Sequence, residues 1–235
     1  MIKHLISLYK GILAGLAIGL GSFLFVICTT YLDANLGLIL GSLVFSIGLF
    51  LVCTFKLNLY TGKIGLAFET KQNKDYFISL VIMYIGNAIS AIGLGYVSYA
   101  IFKDNKEIFD NITSICDHKL VLDSFGGVLS GIVKSTLCGL CVYLSVKCFN
   151  KDFLKPKGIF FLVFFVFIFV FAGFKHCVAN MYYYGFGNKY TSYQVYIDLP
   201  LCTLFNSLGS FIGASLYKFI TIEKIKKDEV ILTEK

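Results

Sequence analysis

Six long apolar runs dominate the chain, and its charged residues are confined to clumps between them. The runs cover 8–30, 36–56 with a continuation at 62–69, 77–101, 120–146, 158–172 with a continuation at 177–184, and 199–221. A bilayer core is spanned by roughly 20 apolar residues of helix. Only helices and closed barrels satisfy every backbone group in hydrocarbon, and continuous apolar runs without strict alternation specify helices. The expected fold is therefore all-α and integral to a membrane, with six transmembrane helices, the second and fifth broken. With 57% hydrophobic residues and a mean hydropathy of +0.78, an ordinary soluble domain is excluded. Residues 1–235 read as one transmembrane transporter domain.

Orientation follows from the lysines. With the N-terminus inside, thirteen lysines face the cytoplasm, including clusters at Lys147, Lys151, Lys155 and Lys157 and at Lys218–Lys227, with Lys235 at the end. Only Lys103, Lys106, Lys119 and Lys189 lie outside, so both termini are expected to be cytoplasmic, and a bacterial cytoplasmic membrane is the expected location. The net charge of +7 then reflects topology, with lipid and not nucleic acid as the surrounding partner. The first run is too long for a signal peptide and no small-residue cleavage site follows Thr30.

Seven of the eight cysteines lie in or beside apolar runs, where cysteine acts as a small hydrophobe. Cys138 and Cys141 form a C-x-x-C inside a helix, without the strand–turn context of a redox motif. Cys116 alone falls in a polar loop. His4, His118 and His176 have no spacing that builds a nucleophile–base pair or a metal cluster, and no phosphate-binding loop occurs. The expectation is a protein without enzyme activity, metal or cofactor.

A weak internal echo divides the chain into halves of about 8–101 and 120–221. Gly11–Gly15 matches Gly127–Gly131, 116 residues on, while Phe55-Lys56 matches Phe174-Lys175 and Asn87 matches Asn206, both 119 residues on. Three helices per half reverse the chain's direction, so the repeats are inverted, an architecture used by transporters and channels. Breaks at Lys56–Lys63 and Gly173–His176 coincide with polar residues. Unwound backbone at that depth is tolerated only against protein or a wet cavity. The lysine, histidine and asparagine of Gly173-Phe174-Lys175-His176-Cys177-Val178-Ala179-Asn180-Met181 should accordingly face a protein-lined path.

That segment closely resembles the central-histidine motif of the formate/nitrite transporter family. Leu59-Tyr60-Thr61-Gly62 resembles the family's L-F-T-G loop, Gly86-Asn87 its G-N, and Asn206 the asparagine of the sixth helix. Lys119, sixteen residues before Ser135, has the spacing of the family's lysine and asparagine. The resemblance implies an aquaporin-like fold and a homo-pentamer with one pore per protomer, closed by two apolar slits on either side of His176. It places Phe45 and Phe169 at or beside the outer slit, Leu59, Tyr60 and Cys138 near the inner one, and Thr61 and Asn180 with the histidine. The cargo would be a small monovalent anion or its conjugate weak acid, such as formate, nitrite, hydrosulfide or lactate, with protons as a candidate companion. The alternative on the same fold is a channel for water or small neutral solutes, against which the absence of N-P-A counts.

The departures from the family pattern share one sign. Lys175 replaces the usual glutamate, Lys63 the usual asparagine, Lys134 a small residue, and Ser135 the asparagine expected to orient the histidine. Lysines near helix ends snorkel to the headgroups, which fits Lys56 and Lys63. Lys134 has about a dozen helical residues on each side, so it faces the pore or a protomer interface, with the pore preferred. Asp123 is the only acid expected near these lysines. With serine at 135, His176 is expected to bond Thr61 or a backbone carbonyl. An ammonium in the path stabilises an anion against protonation, which favours an anion-selective, channel-like route.

Overall fold

The computed structural model describes residues 2–69, 71–150 and 157–233, as backbone alone beyond 219. Of the lysines counted above, Lys151, Lys155 and Lys235 lie outside the described residues. Those residues are helical, without strands: α1 (Ile2–Tyr31), α2 (Ala34–Thr54), the short turns α3 (Tyr60–Lys63) and α4 (Leu66–Glu69), α5 (Lys74–Phe102), α6 (Lys106–Lys119), α7 (Phe125–Asn150), α8 (Lys157–Phe171), α9 (Cys177–Phe186) and α10 (Tyr193–Thr233). Five of them, α1, α2, α5, α7 and α10, are long and apolar enough to cross a membrane; α8 is a shorter apolar helix of 15 residues. Large side chains such as Leu16, Val81, Phe160 and Leu204 are exposed around the outside, as lipid-facing or subunit-facing residues would be.

The two breaks are built alike. After α2, Lys56 adopts φ 51°, its N–H donates to Cys53 O (3.2 Å), and Leu57 N–H donates to Val52 O (2.9 Å). After α8, Gly173 adopts φ 67°, its N–H donates to Val170 O (2.9 Å), and Phe174 N–H donates to Phe169 O (2.9 Å). Both are Schellman stops, in which a left-handed residue closes the helix. Glycine takes that conformation freely, whereas Lys56 holds it against its Cβ. Two non-helical residues follow each stop, and Leu59 and His176, both extended, stand as the N-caps of α3 and α9.

One asparagine satisfies each break. Asn87 on α5 accepts from Tyr60 N–H through Oδ1 (2.9 Å) and donates from Nδ2 to Gly11 O (2.8 Å) and Asn58 O (3.0 Å). Asn206 on α10 accepts from Cys177 N–H (2.9 Å) and donates to Ser135 O (2.8 Å) and Lys175 O (2.8 Å). Both are fully buried. The expected correspondence of Asn87 with Asn206 thus has a matching bonding pattern. That of Gly11 with Gly127 shifts: the carbonyl equivalent to Gly11 O belongs to Ser135, two helical turns further along α7.

The segment expected as a polar loop around Cys116 is instead the amphipathic helix α6. Ile108, Ile112 and Cys116, spaced four apart, form its buried face. Cys116 is fully buried and its Sγ donates to Tyr183 O (3.2 Å). Burial pushes its thiol up to about 12. Asn111 pins α6 to the end of α1, donating to Thr29 Oγ1 (2.9 Å) and Thr30 Oγ1 (2.8 Å).

Small residues let α7 and α10 approach closely. A Cβ built on Gly209 would lie 1.9 Å from Thr136 O, whereas one on Gly93 meets nothing within 4 Å. Gly209→Ala is expected to force the helices apart and cost about 3 kcal/mol or more, by analogy with overpacked cores. Gly93→Ala should be neutral or stabilise by up to about 1 kcal/mol. Thermal unfolding of the two variants in detergent checks the contrast.

Candidate functional site

His176 sits at the start of α9, where three partners fix its ring. Ala179 N–H donates to Nδ1 (3.2 Å), so the ring caps its own helix. The ring hydrogen is therefore assigned to Nε2, which donates to Thr61 Oγ1 across 2.8 Å. Phe169 stacks on the imidazole with centroids 6.0 Å apart, and Phe45 meets Phe169 edge-on at 5.7 Å. All four side chains are buried. The His176–Thr61 bond joins the two broken segments, since Thr61 belongs to α3 and His176 to the start of α9.

Cavities open on both sides. One, termed outer after the orientation expected from the lysines, holds about 480 Å³ and is walled by Phe45, Phe169, His176, Asn180, Lys119 and Lys134, with α6 contributing Ser114, Ile115 and His118. A side compartment of about 120 Å³ is shared by Lys119, Lys134 and Lys175. Beyond Leu59, an inner cavity of about 250 Å³ carries Lys56 and Lys63, and an adjoining one of about 220 Å³ shares Lys63. Lys119 donates to Phe174 O (3.4 Å) and lies 5.5 Å from the Tyr183 ring centroid. Burial, and then the like charge of Lys175, push its ammonium pKa down.

Most of the expected site residues converge here, with exceptions. Lys134 lines the outer cavity and makes no hydrogen bond or ion pair among the described residues. Leu59 lines the inner cavity. Tyr60 does not follow it: its ring packs edge-on against Tyr84 at 5.0 Å and its hydroxyl bonds Ser207 Oγ at 3.0 Å, because its backbone N–H is held by Asn87 and the side chain swings toward α10. Cys138 is buried in α7 and lines neither the outer nor the inner cavity. Ser135 Oγ bonds back to Gly131 O (2.8 Å), and its carbonyl serves Asn206; Thr61 takes the part of histidine partner.

The acid beside the lysines is Asp198, not Asp123. Asp123 is exposed and accepts from Gln194 Nε2 (3.0 Å). Asp198, 2% exposed, forms an ion pair with Lys175. Sequence reading passed it over because it precedes the last apolar run; the need to match the charge of Lys175 was the signal that could have found it.

Thr61→Val keeps the shape of the side chain but leaves the His176 Nε2–H buried without an acceptor. A loss of about 1–3 kcal/mol is expected in detergent unfolding, with Thr61→Ser close to the parent.

Residues 3–223 match the family model described as formate/nitrite transporter. The chain is 26% identical to the formate-nitrite transporter of Plasmodium falciparum (isolate 3D7), with 96% of this chain and 79% of that protein covered. It is also 26% identical to the formate channel FocA of Escherichia coli (strain K12), covering 77% of this chain and 66% of that channel. Among solved structures, a pentameric formate channel with formate bound superposes with a TM-score of 0.74 at 21% identity, covering 95% of this chain and 97% of that one. An FNT family ion channel gives 0.75 at 19% identity, with 91% and 89% covered. The fold, the apolar spans and the match over nearly the whole chain converge: this is an integral membrane protein that belongs to the formate/nitrite transporter family.

Proposed function

We propose that each protomer forms a pore for small monovalent anions or their conjugate weak acids, of the formate, nitrite, hydrosulfide and lactate class, passing His176. The observation that carries this reading is the buried Phe45–Phe169–His176–Thr61 constriction between two lysine-bearing cavities. Lysines on both sides concentrate anions. The constriction is apolar apart from one histidine–threonine bond, where a bare charge would face several kcal/mol or more. The anion therefore crosses either as its neutral acid or with an ammonium close at hand, and Lys134, unpaired at the outer wall, suits the second route.

The equivalent breaks and their two asparagines support a six-span, inverted-repeat architecture, with α8 and α9 together forming the fifth span. The likeness to a pentameric channel supports a homo-pentamer, and the lysine distribution supports cytoplasmic termini.

Flux into proteoliposomes, using formate, nitrite, hydrosulfide and lactate from mildly acid to mildly alkaline pH, tests the reading. Saturable passage of at least one is expected, and none with an intact oligomer would refute it. Osmotic swelling separates the water-channel alternative. Lys134→Ala is expected to slow anion flux severalfold and to shift its pH optimum; an unaltered flux–pH curve would remove Lys134 from the path.

A further inference from the structure

Asp198 does more than match one lysine. Its Oδ1 accepts from Lys175, and its Oδ2 accepts from Tyr184 Oη–H (2.6 Å) and from Asn180 Nδ2–H (3.4 Å). An ionised carboxylate can only accept, so it draws the donor end of the Asn180 amide toward itself. The reverse orientation would set two acceptors face to face. Asn180 Oδ1 is consequently turned away from the carboxylate. It is buried and has no hydrogen-bond partner among the described residues. Asn180 itself is fully buried, stands one helical turn beyond His176 on α9, and lines the outer cavity beside Ala179 and Tyr183.

We propose that Asp198 is a specificity-determining positioning residue, which turns the Asn180 amide so that Oδ1 faces the outer cavity as the acceptor for the proton of a small weak acid. This rests on the transport reading above and adds to it. Lys119 and Lys134 offer donors alone, and these hold an anion. Asn180 Oδ1 offers an acceptor alone, and that selects a ligand able to present an O–H or S–H. A monoprotic weak acid such as formic acid meets both, in its two protonation states, within one compartment. A permanently ionised anion of similar size, such as nitrate, meets only the lysines. Lys175 is engaged by its ion pair with Asp198.

The test is the ratio of formate to nitrate flux in proteoliposomes at one mildly acid pH, read for folded protein. Asp198→Asn offers its own amide donor to Asn180 and releases the forced orientation, so the ratio should fall about fivefold to tenfold, the worth of one net hydrogen bond. Asp198→Glu should keep it within about twofold of the parent. Asn180→Ala should lower it as Asp198→Asn does, and combining the two should add nothing further, as expected of residues acting as one unit. Should Asp198→Asn fail to fold because Lys175 is left unpaired, the double variant Lys175→Met/Asp198→Asn leaves no orphan charge and should show the same fall. A parental ratio in folded Asp198→Asn, in the double variant or in Asn180→Ala overturns the proposal. A parent that carries neither anion overturns the transport reading together with it.

Discussion

The structure depends on satisfying backbone that has been unwound inside a membrane. A break in a transmembrane helix exposes N–H and C=O groups that hydrocarbon cannot serve, each costing several kcal/mol. Here two asparagines meet that demand from neighbouring helices, each accepting from the first N–H of the new segment and donating to one carbonyl of the break and one of a third helix. Three helices are thereby tied at each break. Everything that gives the protein chemistry, from the cap at His176 to the lysines beside it, hangs on those two knots.

The layout of the cavities follows from the same feature. Stopping α2 and α8 and restarting the chain brings Leu59 and His176 to matching N-cap positions. One is apolar and lines the inner cavity, and the other carries an imidazole and lines the outer one. A ring that caps its own helix has its orientation fixed by backbone, with no adjacent asparagine required. The Thr61 hydroxyl then completes the bond that an asparagine at position 135 would otherwise be expected to supply.

Much of this was legible in the residues. The apolar runs, the two breaks and the Lys175–His176–Asn180 cluster are encoded by length and by local contrast in polarity, both of which survive without tertiary knowledge. The correspondence between α1 and α7 is not so encoded. Small residues recur every four positions on α1, so a match can slip by whole turns without any change in pattern, and the asparagine bonds were needed to pair Gly11 with Ser135 as equivalent positions. The helix α6 was hidden because only three of its residues are buried and its composition is otherwise polar. The direction of Tyr60 depended on its backbone being held by Asn87, a contact between residues 27 apart. Asp198 gained its meaning only from Lys175, which stands in the break before α9.

The helix α6 separates the charges that dissolved ions can reach from those they cannot. It places Lys119 at the outer wall from outside the spans, and its moorings include the Asp117–Lys189 pair (2.7 Å), whose acid is largely exposed. Ions in solution screen exposed charges within about 8–10 Å at ordinary salt, but barely reach buried ones. Ionic strength therefore acts on the field that this wall presents to a charged solute. The buried side chains of Phe45, Phe169 and His176 lie beyond that screening, so their electrostatic surroundings are set by the protein alone.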